Sequence, residues 1–72
     1  MKFYLSMTFG TIGGTISSMT FDTFISGEVI TTDSYDQLPL SIYNAVKNAQ
    51  AIINSQRHEN CFLLSHSLLN ID

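Results

Sequence analysis

Residues 2–9 read Lys2-Phe3-Tyr4-Leu5-Ser6-Met7-Thr8-Phe9, and their alternation decides the fold. Phe3, Leu5, Met7 and Phe9 share one parity; Lys2, Tyr4, Ser6 and Thr8 share the other. Successive side chains of a strand point to opposite faces, so this pattern predicts a strand buried on one side only.

What buries that side is read further along. Leu38, Ile42, Ala45, Val46, Ala49, Ile52 and Ile53 recur at the spacing of one helical face, with Ser41, Asn44, Lys47, Asn48 and Ser55 opposite. The spacing predicts a helix over about 36–56. Asp36 or Ser34 is its candidate N-cap, and Pro39 is tolerated in a first turn because its missing N–H would be unpaired there anyway. Asp33 and Asp36 suit the positive end of the helix, and Arg57 and His58 the negative end.

The intervening segment is richer in Thr, Ser, Phe, Ile and Gly. Gly13-Gly14 is the expected hairpin turn, since both positions can take positive φ without a Cβ penalty. A second strand is expected from Thr15 to about Ile25. Ile16, Met19, Phe21 and Phe24 do not share one parity, so a bulge is expected near Asp22-Thr23. Ser26-Gly27 is a second turn candidate, and Glu28–Thr32 a third strand on its β-branched content. Residues 61–65 read as a short buried strand, which 68–72 either extend or leave to pack loosely. The order is β-β-β-α-β. The expected class is α+β: a single domain over 1–72, an antiparallel sheet of three to four strands with one amphipathic helix on one face. The other face, lined by Tyr4, Ser6 and Thr8, must be wet or occupied.

Composition narrows the function classes. The chain has 72 residues, 3 Lys and Arg against 6 Asp and Glu, and a net charge of -3. Lys2, Lys47 and Arg57 lie far apart in sequence, so a basic face for nucleic acid is disfavoured. No apolar run approaches the roughly 20 residues of a membrane span. Only 12% of residues are charged, about half the usual share of roughly 25%. Such a chain associates with itself or a partner more readily than a charged one. One cysteine forms no internal disulfide, and the N-terminal nine residues lack the cleavage pattern of a signal peptide, so a cytoplasmic protein is expected.

Each chemical motif has a simpler structural explanation. Gly10-Thr11-Ile12-Gly13-Gly14 invites a phosphate-loop reading, but neither a Lys-Ser/Thr pair nor a helical pattern follows it, and a glycine hairpin explains it. His58, Cys61 and His66 are the only nitrogen and sulfur ligands, with Glu59 as a carboxylate, and a structural zinc needs four ligands in short paired spacings. Cys61 is expected as a small buried residue. Ser65 and His66, adjacent on a strand, point apart and form no catalytic dyad. No metal, cofactor or catalytic residue is therefore assigned.

The reading that remains is a small non-enzymatic interaction protein that masks or bridges a partner protein, such as a host macromolecular complex, as an inhibitor or accessory chain. In size and style it is similar to the accessory proteins that phages use against host machinery, anti-CRISPR proteins included, although no motif carries that similarity. The expected partner-binding residues are Tyr4, Glu28, Asp33, Tyr35 and Asp36, at the uncovered face and the start of the helix. The alternative is a homo-oligomer with small-ligand or nucleotide pockets between subunits.

Overall fold

The computed structural model describes residues 1–57 and 59–72. Two long strands, β1 (Lys2–Thr15) and β2 (Ser18–Thr31), form a hairpin. A single 3-10 turn (Tyr35–Gln37) leads into α1 (Leu38–Arg57), and β3 (Phe62–Asn70) returns along the free side of β1. The sheet is antiparallel throughout, in the order β2-β1-β3. This is the α+β class predicted, with three strands.

The odd residues of β1 carry the core. Leu5, Met7, Phe9, Ile30, Ala45, Ala49 and Cys61 form one buried cluster, with Leu38, Ile42, Val46, Ile53 and Leu63 packed against it. Leu5 and Phe9 are wholly excluded from solvent. Each such side chain contributes about 1.5–3 kcal/mol by burial. Ala45 and Ala49 are the buried residues of α1.

Two expectations about the hairpin are corrected. The turn is Ile16-Ser17 rather than Gly13-Gly14, because Gly14 still pairs with Met19 and Thr15 with Ser18. Gly14 instead adopts φ 86°, and a Cβ there would collide with the Ser18 carbonyl, so glycine allows the last pairs to twist into a tight loop. The expected break at 22–27 is also absent. β2 runs unbroken through Ser26-Gly27 in uniform register with β1, and Glu28–Thr31 is its last stretch. Gly27 is there for space: a Cβ would overlap the Tyr4 ring, which lies across it from β1. The one irregularity falls in the other pairing, between Thr8 and Phe9, where Leu64 is the extra residue of β3.

Two sets of hydrogen bonds fix the ends. At the root of the sheet the Met1 ammonium donates to the Thr32 carbonyl (3.0 Å) and lies 3.6 Å from Asp72 Oδ2. Thr32 N–H donates back to Met1 O at 3.1 Å, and Ile71 N–H to Lys2 O at 3.0 Å. At the far end of α1, Asn54 Oδ1 accepts the Cys61 N–H at 2.7 Å and Gln50 Nε2 donates to the Cys61 carbonyl at 2.7 Å. Gln50 and Asn54 are one helical turn apart, so one face of α1 holds both backbone groups of the residue leading into β3.

The expected N-cap is present only as backbone. Ser34 occupies the N-cap of the 3-10 turn in extended conformation but makes no side-chain capping bond. Its carbonyl accepts from Thr32 Oγ1 at 3.1 Å and from Gln37 N–H at 3.3 Å. The expected role of His58 at the helix C-terminus lies outside the described residues.

Candidate interaction face

The even residues of β1 face away from the helix, and the register fixes their neighbours. Tyr4 lies between Val29 and Leu69, Ser6 between Gly27 and Ser67, and Thr8 between Ile25 and Ser65. Gly10 lies between Thr23 and Phe62, and Ile12 and Gly14 pair with Phe21 and Met19. Residues directly opposite in an antiparallel ladder share a face, so these side chains form one surface. Phe21 and Leu64 close over Gly10, and the Phe21 and Phe62 rings meet at 6.3 Å.

Among the described residues no other element covers this surface. Tyr4, Ile12, Met19, Phe21, Ile25, Val29, Phe62, Leu64 and Leu69 are all exposed, Ile25 to 86% of its area. Scattered surface apolar residues are ordinary, but a contiguous group of this size marks an interaction site. Among the described residues its only ionic side chain is Lys2, at the root margin, in register with Thr31. Asp22 and Glu28 lie on the helix side of β2, opposite Thr11 and Leu5.

The hairpin also outreaches its support. Fourteen residues of strand span about 48 Å, close to the longest dimension of the molecule, 49 Å. The 20-residue helix spans about 30 Å, and the β3 pairing ends at Gly10. Residues 12–21 therefore form a two-stranded arm, with Ile16 at its tip 99% exposed.

The structure divides the sequence-predicted partner residues among three places. Tyr4 belongs to the open face. Glu28 lies through the sheet from it, beside a shallow groove between β2 and α1 that includes Asn48, Ala51 and Ile52. Asp33, Tyr35 and Asp36 lie at the connection before the helix, where Tyr35 is exposed and tilts against Phe3 at 6.4 Å. The five therefore do not form one site. Sequence reasoning missed Phe21, Ile25, Val29 and Leu69. The signal was there: Met19, Phe21, Ile25 and Val29 share one parity once β2 is read as a single strand.

A second groove, of about 420 Å³, lies between the same strand and the helix C-terminus, with Phe24, Ile52, Ile53 and Arg57 among its lining. The Arg57 guanidinium stacks 4.1 Å above the Phe24 ring and stands 3.9 Å from Asp22 Oδ2.

Cys61 is buried, and its Sγ donates weakly to the Gln50 carbonyl at 3.8 Å. Burial pushes its thiol pKa up, and a backbone hydrogen bond opposes this in part. A raised pKa suppresses the thiolate, the nucleophilic form. His66 lies on the helix side of β3 opposite Met7, and His58 is outside the described residues. Among the described residues no three of His, Cys, Asp and Glu gather in a metal-binding group, and no helix is long and apolar enough to cross a membrane. The Gly10–Gly14 segment is continuous strand rather than the start of a helix.

No protein-family model, curated protein or solved structure matches the chain.

Proposed function

We propose that the protein is a non-enzymatic binding module that works through the open face of its sheet. The observation that carries this reading is the surface from Tyr4 to Met19: nine large apolar side chains, hydroxyls between them, and one charge at its margin. Burying a face of this kind releases ordered water over a broad area, which favours association. The raised pKa of Cys61 makes the chain's one thiol a poor nucleophile, in keeping with a binding role.

The test is capture of partner protein by tagged chain co-expressed with untagged chain in host cells, with the eluate read by mass spectrometry. Ile25→Lys places a charge in the middle of the face at a position too exposed to matter for folding. Leu40→Lys does the same on the exposed helix surface. The expected result is loss of the captured protein with Ile25→Lys and retention with Leu40→Lys. Equal capture by both variants would move the binding surface elsewhere.

A further inference from the structure

We infer that the occupant of the open face is a second copy of this chain, stacked sheet to sheet about a two-fold axis, with the hairpin arm of each copy over the sheet root of the other. The inference rests on the binding role proposed above and names its partner. Four observations carry it.

The first is area. Strands of 14, 14 and 9 residues, set about 4.8 Å apart, present a face of roughly 600 Å² in outline before side-chain relief is counted, in the size range of a standard interface of roughly 800 Å² per partner.

The second is self-complementarity. A two-fold interface sets each patch against a copy of its own molecule, so every group must be compatible with that same surface. The face is apolar at both ends: Ile12, Met19 and Phe21 towards the arm, Tyr4, Val29 and Leu69 towards the root. Between them Ser6, Thr8, Thr23, Ser65 and Ser67 lie around Ile25, Phe62 and Leu64. A hydroxyl both donates and accepts, so hydroxyls facing hydroxyls can satisfy one another where carboxylates or ammoniums would repel.

The third is charge placement. The chain is net acidic, but Asp22 and Glu28 lie on the helix side of the sheet. Stacking through the open faces turns those carboxylates outward and away from each other. Lys2, the one charge on the face among the described residues, decides the direction of the axis. An axis along the strands would set Lys2 near Lys2. An axis across them, passing near Thr8, sets each Lys2 near the partner's hairpin turn, which is neutral from Gly13 to Thr20.

The fourth is the arm. A two-stranded hairpin is at best marginally stable in water without a surface to pack on. Residues 12–21 run on past the β3 pairing, braced at their base by Phe21 against Phe62 and by Glu59 near Gly13. In the crossed arrangement the apolar side of each arm lies on the root patch of the partner, and the two sheets form a sandwich with a common interior about 10 Å thick. Both helices then lie on the outside, each with its Asp33, Tyr35 and Asp36.

Analytical ultracentrifugation across the micromolar range is the experiment. The expected mass is twice the 8.0 kDa of one chain, falling to a single chain in Ile25→Lys and Val29→Lys with the circular dichroism of folded protein retained, and unchanged in Leu40→Lys. Orientation is read by mixing Lys2→Cys with Met19→Cys, both on the open face at opposite ends, under oxidation. Cross-links between the two variants in preference to either with itself are expected, since buried Cys61 is shielded. A monomer throughout the range, or a dimer that survives Ile25→Lys and Val29→Lys, overturns the inference. A monomer that still captures a different protein through Ile25 overturns only the second-copy partner. A monomer whose capture ignores Ile25 overturns the binding reading as well. Self-linked variants in place of the mixed product overturn the crossed arrangement.

Discussion

The two faces of β1 come from the same fourteen residues and have opposite fates. Leu5, Met7 and Phe9 are shut under α1 together with Ala45 and Ala49, while Tyr4, Ser6, Thr8 and Ile12 point into open space beside Ile25, Val29 and Leu69. On the helix side, large residues meet small ones and the helix supplies the cover. On the other side, large residues meet hydroxyls and no described element covers them. An ordinary one-sided sheet is polar where it faces water. This one is not, and the difference between the faces is the argument for a binding role.

The contrast is sharpest in two phenylalanines. Phe9→Ala empties a fully buried site and should destabilise by about 3–5 kcal/mol, enough to unfold a domain of this size at room temperature. The same truncation at Phe21, more than half exposed and touching Phe62 across the open face, should cost far less in monomer stability while weakening association. Urea unfolding of the two variants, at a concentration where both are monomeric, measures the gap. Equal losses would mean that the open face is a second core.

The next largest effect is at the clamp between α1 and β3. Asn54→Ala leaves the Cys61 N–H without its acceptor, a loss of roughly 1–3 kcal/mol for a buried donor. Gln50→Ala should lose a comparable but smaller amount, because a carbonyl is more readily satisfied by water. Chemical denaturation checks both. Losses near zero would show that α1 docks on the sheet without these bonds.

Cys61 gives a pH signature. Its pKa in the fold lies above that of an unfolded cysteine, near 8.5. As pH rises through that value the unfolded chain releases a proton that the folded chain keeps, so stability should decline there. Cys61→Ala should flatten that part of the stability–pH curve, whatever it costs in packing. A thiol reagent should likewise react slowly with the native protein and fast in urea. Smallest of all is the exposed Asp22–Arg57 pair: Asp22→Ala should change stability by less than about 1 kcal/mol.

Most of the fold was legible because it rests on periodicity. Residues 2–9 alternate and 38–53 recur at helical spacing, and those two patterns are enough to lay one helix on one face of a sheet. The hairpin was less legible. Gly13-Gly14 and Ser26-Gly27 both resemble turns, and a sequence does not distinguish a glycine that reverses the chain from one that clears space for Tyr4. That misreading split β2 and hid the common parity of Met19, Phe21, Ile25 and Val29, which is why the candidate face was seen only at Tyr4, Ser6 and Thr8. Asp33, Tyr35 and Asp36 were chosen because polar and aromatic residues cluster at a helix start. The structure keeps them together but leaves them on the far side of the molecule from Tyr4's surface.

Methyl spectra recorded over a dilution series test the central claim most directly, because they report the two faces separately in one sample. The methyl groups of Ile12, Ile25, Val29 and Leu69 should shift with concentration, while those of Leu5, Ile42 and Ile53 stay still. Shifts confined to the helix surface, or no shifts at any concentration, would contradict the account.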